Sequence, residues 1–226
     1  MPLIIYLHHN SQPCRAVLAL CNFLKISYEV KVLQIYKGEA RTAEFKAINP
    51  LQKVPTIIDV NGVILSESHT IMRYLCRQYK AADHFYPKDP LGAANVDRYL
   101  DWHQTNTRRV YNYFIALISP MFPKNHFDFY DLEEEKKTML RAFKMIETFW
   151  LKDKKYLCGN EISIADVSAA SEIISLVMIN WDFSEFPKLK EWLDRVMKNE
   201  EMQKAHEGFY KIIQEMKDSN SMFPKL

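Results

Sequence analysis

Four short stretches hold the residues able to do chemistry. Ser11 stands directly before Gln12-Pro13, just after an apolar run at residues 3–7. Serine with proline near the first turn is a helix-start signal, which puts the hydroxyl beside free backbone N–H groups and the positive end of a helix dipole. Lys37, Arg41 and Lys53 add positive charge. Lys53-Val54-Pro55 precedes another apolar run, and a proline there can take the cis form and turn the backbone out of a sheet. Ser66-Glu67-Ser68 opens a further helix, a second start that favours anions. Together they make a local anion trap. Each stretch also has an ordinary reading. Ser11, Glu67 and Ser68 suit helix caps, Pro55 suits the first residue of a strand, and Lys53 and Arg41 suit solvated charges. What sets the four apart is their order and spacing.

The elements that must position them follow from periodicity. Residues 3–7 read as a buried strand, 11–23 as a helix, 28–33 as a second strand and 42–48 as a short helix. Residues 56–60, Asn61-Gly62 and 63–65 read as a hairpin with a tight type I′ turn. A helix begins at Ser66-Glu67-Ser68, with Ile71, Tyr74, Leu75 and Tyr79 on one face. The order is β-α-β-α-β-β-α over residues 1–80, an α/β unit with a small mixed sheet. Residues 81–90, with two prolines and several polar side chains, read as a linker. Residues 91–226 read as all-α. One long helix is expected over 91–119, and others over 132–150, 163–180, from Pro187, and to about residue 217. Ser163 with Asp166 forms a capping box flanked by Ile162 and Val167 as a hydrophobic staple.

Composition excludes several classes. In 226 residues, 48% are hydrophobic and the net charge is +2, which is not the signature of a disordered chain. Nearly balanced charge gives no general reason to hold a nucleic acid. The five glycines all stand alone, so neither the dinucleotide fingerprint nor the P-loop is present. The start lacks a basic region with a long apolar stretch, and the run around residues 173–179 falls far short of a membrane span. Cys14, Cys21, Cys76 and Cys158 match no zinc or CxxC spacing and read as reduced thiols in a cytoplasmic protein, with no metal expected.

SQPCRA at residues 11–16, INPLQKVP at 48–55, the Glu67-Ser68 pair, YPKDP at 86–90 and GNEISIADVS at 159–168 together resemble the glutathione S-transferase family, most closely its theta class. The resemblance covers essentially the whole chain. It implies a thioredoxin-like first domain and an all-helical second domain with a hydrophobic substrate pocket. It implies a transferase acting in detoxification, with glutathione as co-substrate and no other cofactor, conjugating small hydrophobic electrophiles, with dehalogenase or peroxidase activity as further options. Val54, beside a cis-Pro55, would pair with the cysteinyl backbone of glutathione. Ser68 would take the γ-glutamyl carboxylate, Glu67 would face the ammonium, and Lys53 and Arg41 would serve the glycyl carboxylate. Ser11 would donate a hydrogen bond to the sulfur and favour the thiolate, the stronger nucleophile.

The pattern also departs from the family. Ala40 stands where many theta members have a histidine, and Thr105 where some have an acidic residue reaching across the dimer. Arg108 matches an arginine near the middle of the first long helix and would add positive potential near the sulfur or substrate; Arg109, next to it, faces another way. The tail after Lys217 reads as shorter than in longer members, which implies a more open pocket. Of the aromatics Tyr113, Phe114, Phe122, Phe209 and Tyr210, one or two are expected in the pocket. The family implies a homodimer through the third and fourth helices, with Arg73, Arg77, Asp97 and Asp101 available for contacts. Two alternatives stand beside the enzyme: a non-catalytic glutathione-binding interaction module, and a thiol transferase working through Cys14.

Overall fold

The structure, a computed structural model, describes residues 2–119 and 130–218. Strand β1 (Leu3–Leu7) is followed by α1 (Gln12–Phe23), β2 (Tyr28–Val32), α2 (Ala43–Ile48), β3 (Thr56–Ile58), β4 (Ile64–Ser66) and α3 (Ser68–Gln78). The sheet runs β2-β1-β3-β4. β1 pairs in parallel with β2, with Ile5 opposite Val30, while β3 and β4 run antiparallel, with Ile5 opposite Ile57 and Ile57 opposite Leu65. Leu3, Ile5 and Leu7 alternate into the core and are wholly buried, the period of two that a half-covered strand demands.

Helix α1 is buried nearly all round, from Cys14 to Cys21, because it packs on α3 on one side and on two helices of the helical half on the other, α7 (Ile164–Ile173) and α9 (Glu200–Asp218). The helices of that half follow in order: α4 (Pro90–Thr105), α5 (Arg109–Ile118), α6 (Leu132–Met145), α7, α8 (Pro187–Met197) and α9. The segment between the halves is pinned: the Phe85 carbonyl accepts from Ile164 N–H at 3.0 Å, and the Phe85 ring packs on Phe23. Asp166 fulfils the expected box, its Oδ2 accepting from the Ser163 N–H at 2.9 Å and hydroxyl at 2.8 Å. No helix among the described residues is long and apolar enough to cross a membrane.

Two expectations need correction, and two helices keep their expected extent but change type before they end. The single helix over 91–119 is two, broken at residues 106–108. There the Asn106 side chain donates to the Trp102 carbonyl and the Thr107 hydroxyl meets Tyr99, side-chain bonds that compete with the helical ladder. The helix ending at Trp150 closes in a π turn over Ile146–Trp150. The one after Ser163 tightens to 3₁₀ over Ile174–Ile179 and stops at Asn180, whose φ is +51°. The hairpin is not type I′. Only Gly62 is left-handed, at φ +82°, and the loop runs from Asp59 to Val63, joined by an Asp59 N–H bond to the Val63 carbonyl at 2.8 Å. Asp59 holds this wider turn by accepting from Val60 N–H and from the Tyr74 and Tyr79 hydroxyls.

Candidate active site

Ser11 ends the loop from β1 into α1. Its carbonyl accepts from Arg15 N–H at 3.1 Å, as an N-cap residue should, yet its hydroxyl makes no capping bond. The half-buried side chain instead lies on the wall of a cleft of about 950 Å³. Cys14, one turn on, is a core residue. Burial pushes its thiol up to about 11, against smaller opposing pulls from the Ser11 hydroxyl, the His8 backbone and the Arg15 charge. A reactive cysteine needs the opposite shift, so the geometry does not favour thiol exchange at Cys14.

Arg15 is the residue that periodicity did not single out. It is wholly buried, and its guanidinium gathers the loop before Ser11 onto the helical half. It donates to the carbonyls of His9 at 3.1 Å and Asn10 at 2.9 Å, and to the Ser171 carbonyl and Ser175 hydroxyl at 2.8 Å each. The Phe209 ring stacks against it at 4.0 Å. Burial lowers its pKa to about 10, so the cation persists at neutral pH. A signal was present: in α1 it is the only charge on a helix otherwise free of a polar face.

Two clefts meet at this seam. The larger is mostly apolar, lined by Tyr111, Phe114, Ile115, Met178 and Phe209 as well as Ser11 and Arg41. The smaller, about 240 Å³, is polar and holds Pro55, Glu67 and Ser68. Lys53, Val54 and Arg108 belong to both walls. The Val54-Pro55 bond is cis, as the family resemblance implied. Glu67, at the start of α3, has φ +66° and ψ 107°, a costly conformation for a residue with a Cβ and one that clusters at functional sites. Lys37, the third member of the basic set, lies on neither wall.

A largely buried polar chain forms part of the wall of the smaller cleft. His69, next to Ser68, is bonded to the Ser168 hydroxyl at 2.8 Å and to Gln104 at 3.1 Å. Burial, aided by His103, Arg73 and Arg108, pushes His69 down to about 2, so it is neutral. His103 stacks edge-on against it at 5.1 Å and lies 3.8 Å from Glu172. Glu172 accepts from Arg108 Nη1 at 2.9 Å. Arg109 turns the other way, onto Glu135, as adjacency required.

The aromatics divide as expected: Phe114 and Phe209 reach the larger cleft, and Tyr113 is core. Phe122 and the tail from residue 219 lie outside the described residues. Arg73 is bonded within the chain, to Asp97 at 2.6 Å, with Asp101 at 3.7 Å; Arg77 donates to the Pro87 carbonyl.

Comparison with known proteins points the same way. Residues 11–78 match the family model for the glutathione S-transferase N-terminal domain, and residues 111–200 that for its C-terminal domain. Glutathione S-transferase theta-1 of Bos taurus is 36% identical over 234 residues, covering 100% of this chain and 95% of that protein. Glutathione S-transferase T1 of Arabidopsis thaliana is 34% identical, covering 93% of each. A solved human theta-class glutathione transferase, in complex with the glutathione conjugate of 1-menaphthyl sulfate, superposes with a TM-score of 0.83 at 29% identity, over 100% of this chain and 95% of that one. A delta-class transferase of Nilaparvata lugens gives 0.81 at 27% identity, over 95% and 100%. The α/β half is thus a thioredoxin-like domain joined to a helical one, and the chain belongs to the glutathione S-transferase family, most similar to its theta class.

Proposed function

We propose that this transferase activates glutathione through the Ser11 hydroxyl and conjugates it to small hydrophobic electrophiles. The observation that carries the reading is the placement of Ser11: its hydroxyl is not spent on capping α1, and the residue lines an apolar cleft that shares Lys53, Val54 and Arg108 with a polar one. The tripeptide lies across the shared wall. Its γ-glutamyl end meets Glu67 and Ser68, its cysteinyl backbone runs beside Val54 and Pro55, and its glycyl carboxylate meets Lys53 and Arg41. The sulfur then stands beside Ser11 at the start of α1, where a donated hydrogen bond and the helix dipole favour the thiolate. The thiol proton leaves to solvent, a carbon–sulfur bond forms with an electrophile in the apolar cleft, and the leaving group departs with its electron pair. Arg108 adds positive potential from the shared wall.

Glutathione is a co-substrate in this scheme, and no resident cofactor is needed. We further propose a cytoplasmic homodimer with α3 and α4 at its interface, to be read by sedimentation. The decisive experiment is Ser11→Ala. Loss of one donor to a developing anion should cost about 10²-fold or more in turnover, with glutathione affinity nearly unchanged. Equal turnover in the two proteins removes Ser11 from the role.

A further inference from the structure

Arg108 and Glu172 form a pair of unequal exposure. The Arg108 side chain is 30% exposed and lies on the wall of both clefts, with its guanidinium 4.6 Å over the Tyr111 ring. The Glu172 side chain is 2% exposed, deep on α7. Its Oε2 accepts from Arg108, while its Oε1 is buried with no hydrogen-bond partner among the described residues. The charged and titratable groups facing Glu172 are Arg108 and Tyr111 at the start of α5, His103 and Tyr99 on α4, and Arg15 on α1, with His69 of α3 behind His103. Burial alone would raise the Glu172 carboxyl, but Arg108 and then His103 outweigh it and hold it ionised.

A buried carboxylate is not screened by salt as a surface one is. The pair is neutral as a whole: Arg108 lies on the wall of both clefts, while Glu172 lines the smaller one and does not reach the larger. The potential that reaches the sulfur therefore depends both on Arg108 staying at the wall and on the negative charge behind it. We propose that Glu172 is a positioning residue for the thiol chemistry: it anchors Arg108 at the shared wall and sets how acidic the sulfur bound beside Ser11 becomes. This rests on the reading that glutathione sulfur lies at Ser11.

Three variants of the full chain test it, by titrating the ultraviolet absorbance of the bound glutathione thiolate and the acid limb of kcat/KM with an aryl halide. Glu172→Gln keeps the shape and an acceptor oxygen but leaves an uncompensated cation, so the thiol pKa should fall, on the order of half a pH unit. Arg108→Leu leaves an uncompensated carboxylate, so it should rise. The double variant replaces one neutral pair with another and should return toward the wild-type value, which a merely structural role would not produce. If Glu172→Gln titrates with the wild type, or the double variant departs further than either single one, the inference is overturned. If wild-type protein mixed with glutathione shows no shifted thiol at all, the reading of the site falls, and this inference with it.

Discussion

Gly208 of α9 lies so close to His9 that a Cβ added to the glycine would stand 2.4 Å from the ring Nδ1. His9 belongs to the loop that delivers Ser11, and its carbonyl is one of those held by Arg15. The close approach therefore presses the last helix against the backbone of the candidate site. By helix propensity alone, Gly208→Ala would stabilise by about 1 kcal/mol. Here the His9 ring must be displaced, and overpacking of this kind costs about 1–3 kcal/mol. Urea denaturation should show net loss of stability, with reduced turnover. At Gly159 an added Cβ meets nothing within 4 Å, so Gly159→Ala is the neutral control. A Gly208→Ala protein more stable than wild type would show that the contact yields freely.

Arg15→Met keeps the length of the side chain and its packing on Phe209 but removes every donor. The carbonyls of His9, Asn10 and Ser171 would lose their guanidinium bonds. Relief of a buried charge offsets part of this. Three weakened acceptors at about 1–3 kcal/mol each outweigh it, so unfolding by urea should show a loss of about 3 kcal/mol. Arg15→Lys should recover only part, because an ammonium cannot bridge both sides at once. A Met variant as stable as wild type would remove Arg15 as the link between the halves.

Two buried imidazoles set the acid sensitivity. His206 is pushed down to about 3 by burial and then by Arg15, and His69 to about 2. In the unfolded chain each titrates near 6.5. Because the folded values lie below the unfolded ones, the unfolded state takes up protons first. Stability is complete above about pH 6.5 and falls as pH drops through the window below it, each group approaching about 1.4 kcal/mol per pH unit. Between pH 6 and pH 5 the two should remove roughly 2 kcal/mol, seen as a lower urea midpoint. A flat midpoint across that window would contradict the neutral assignment.

Local signals made much of the site legible. A hydroxyl before Gln12-Pro13, a proline at the head of β3 and a Ser-Glu-Ser helix start are all read within a few residues. The capping box was likewise visible in Ser163 and Asp166. What could not be read was that Asp166 also takes the Leu157 N–H and the Trp192 indole N–H, from segments nine and twenty-six residues away. Arg15 and Glu172 stayed hidden for the same reason. Arg15 is the single charge on α1 and Glu172 shares α7 only with Asp166, and the burial of each comes from helices distant in sequence. The break at Asn106 escaped because apolar spacing continues on both sides of it, while the bonds that interrupt the ladder come from polar side chains.

The wall formed by Lys53, Val54 and Arg108 serves two clefts at once. A side chain can hold one position at a time, so an occupant on one side that shifts it changes the shape offered on the other. Linkage makes that effect symmetrical. By whatever factor the bound tripeptide alters the hold on an apolar guest, the guest alters the hold on the tripeptide. An affinity measured for either compound alone then differs, by that factor, from its affinity in the ternary complex.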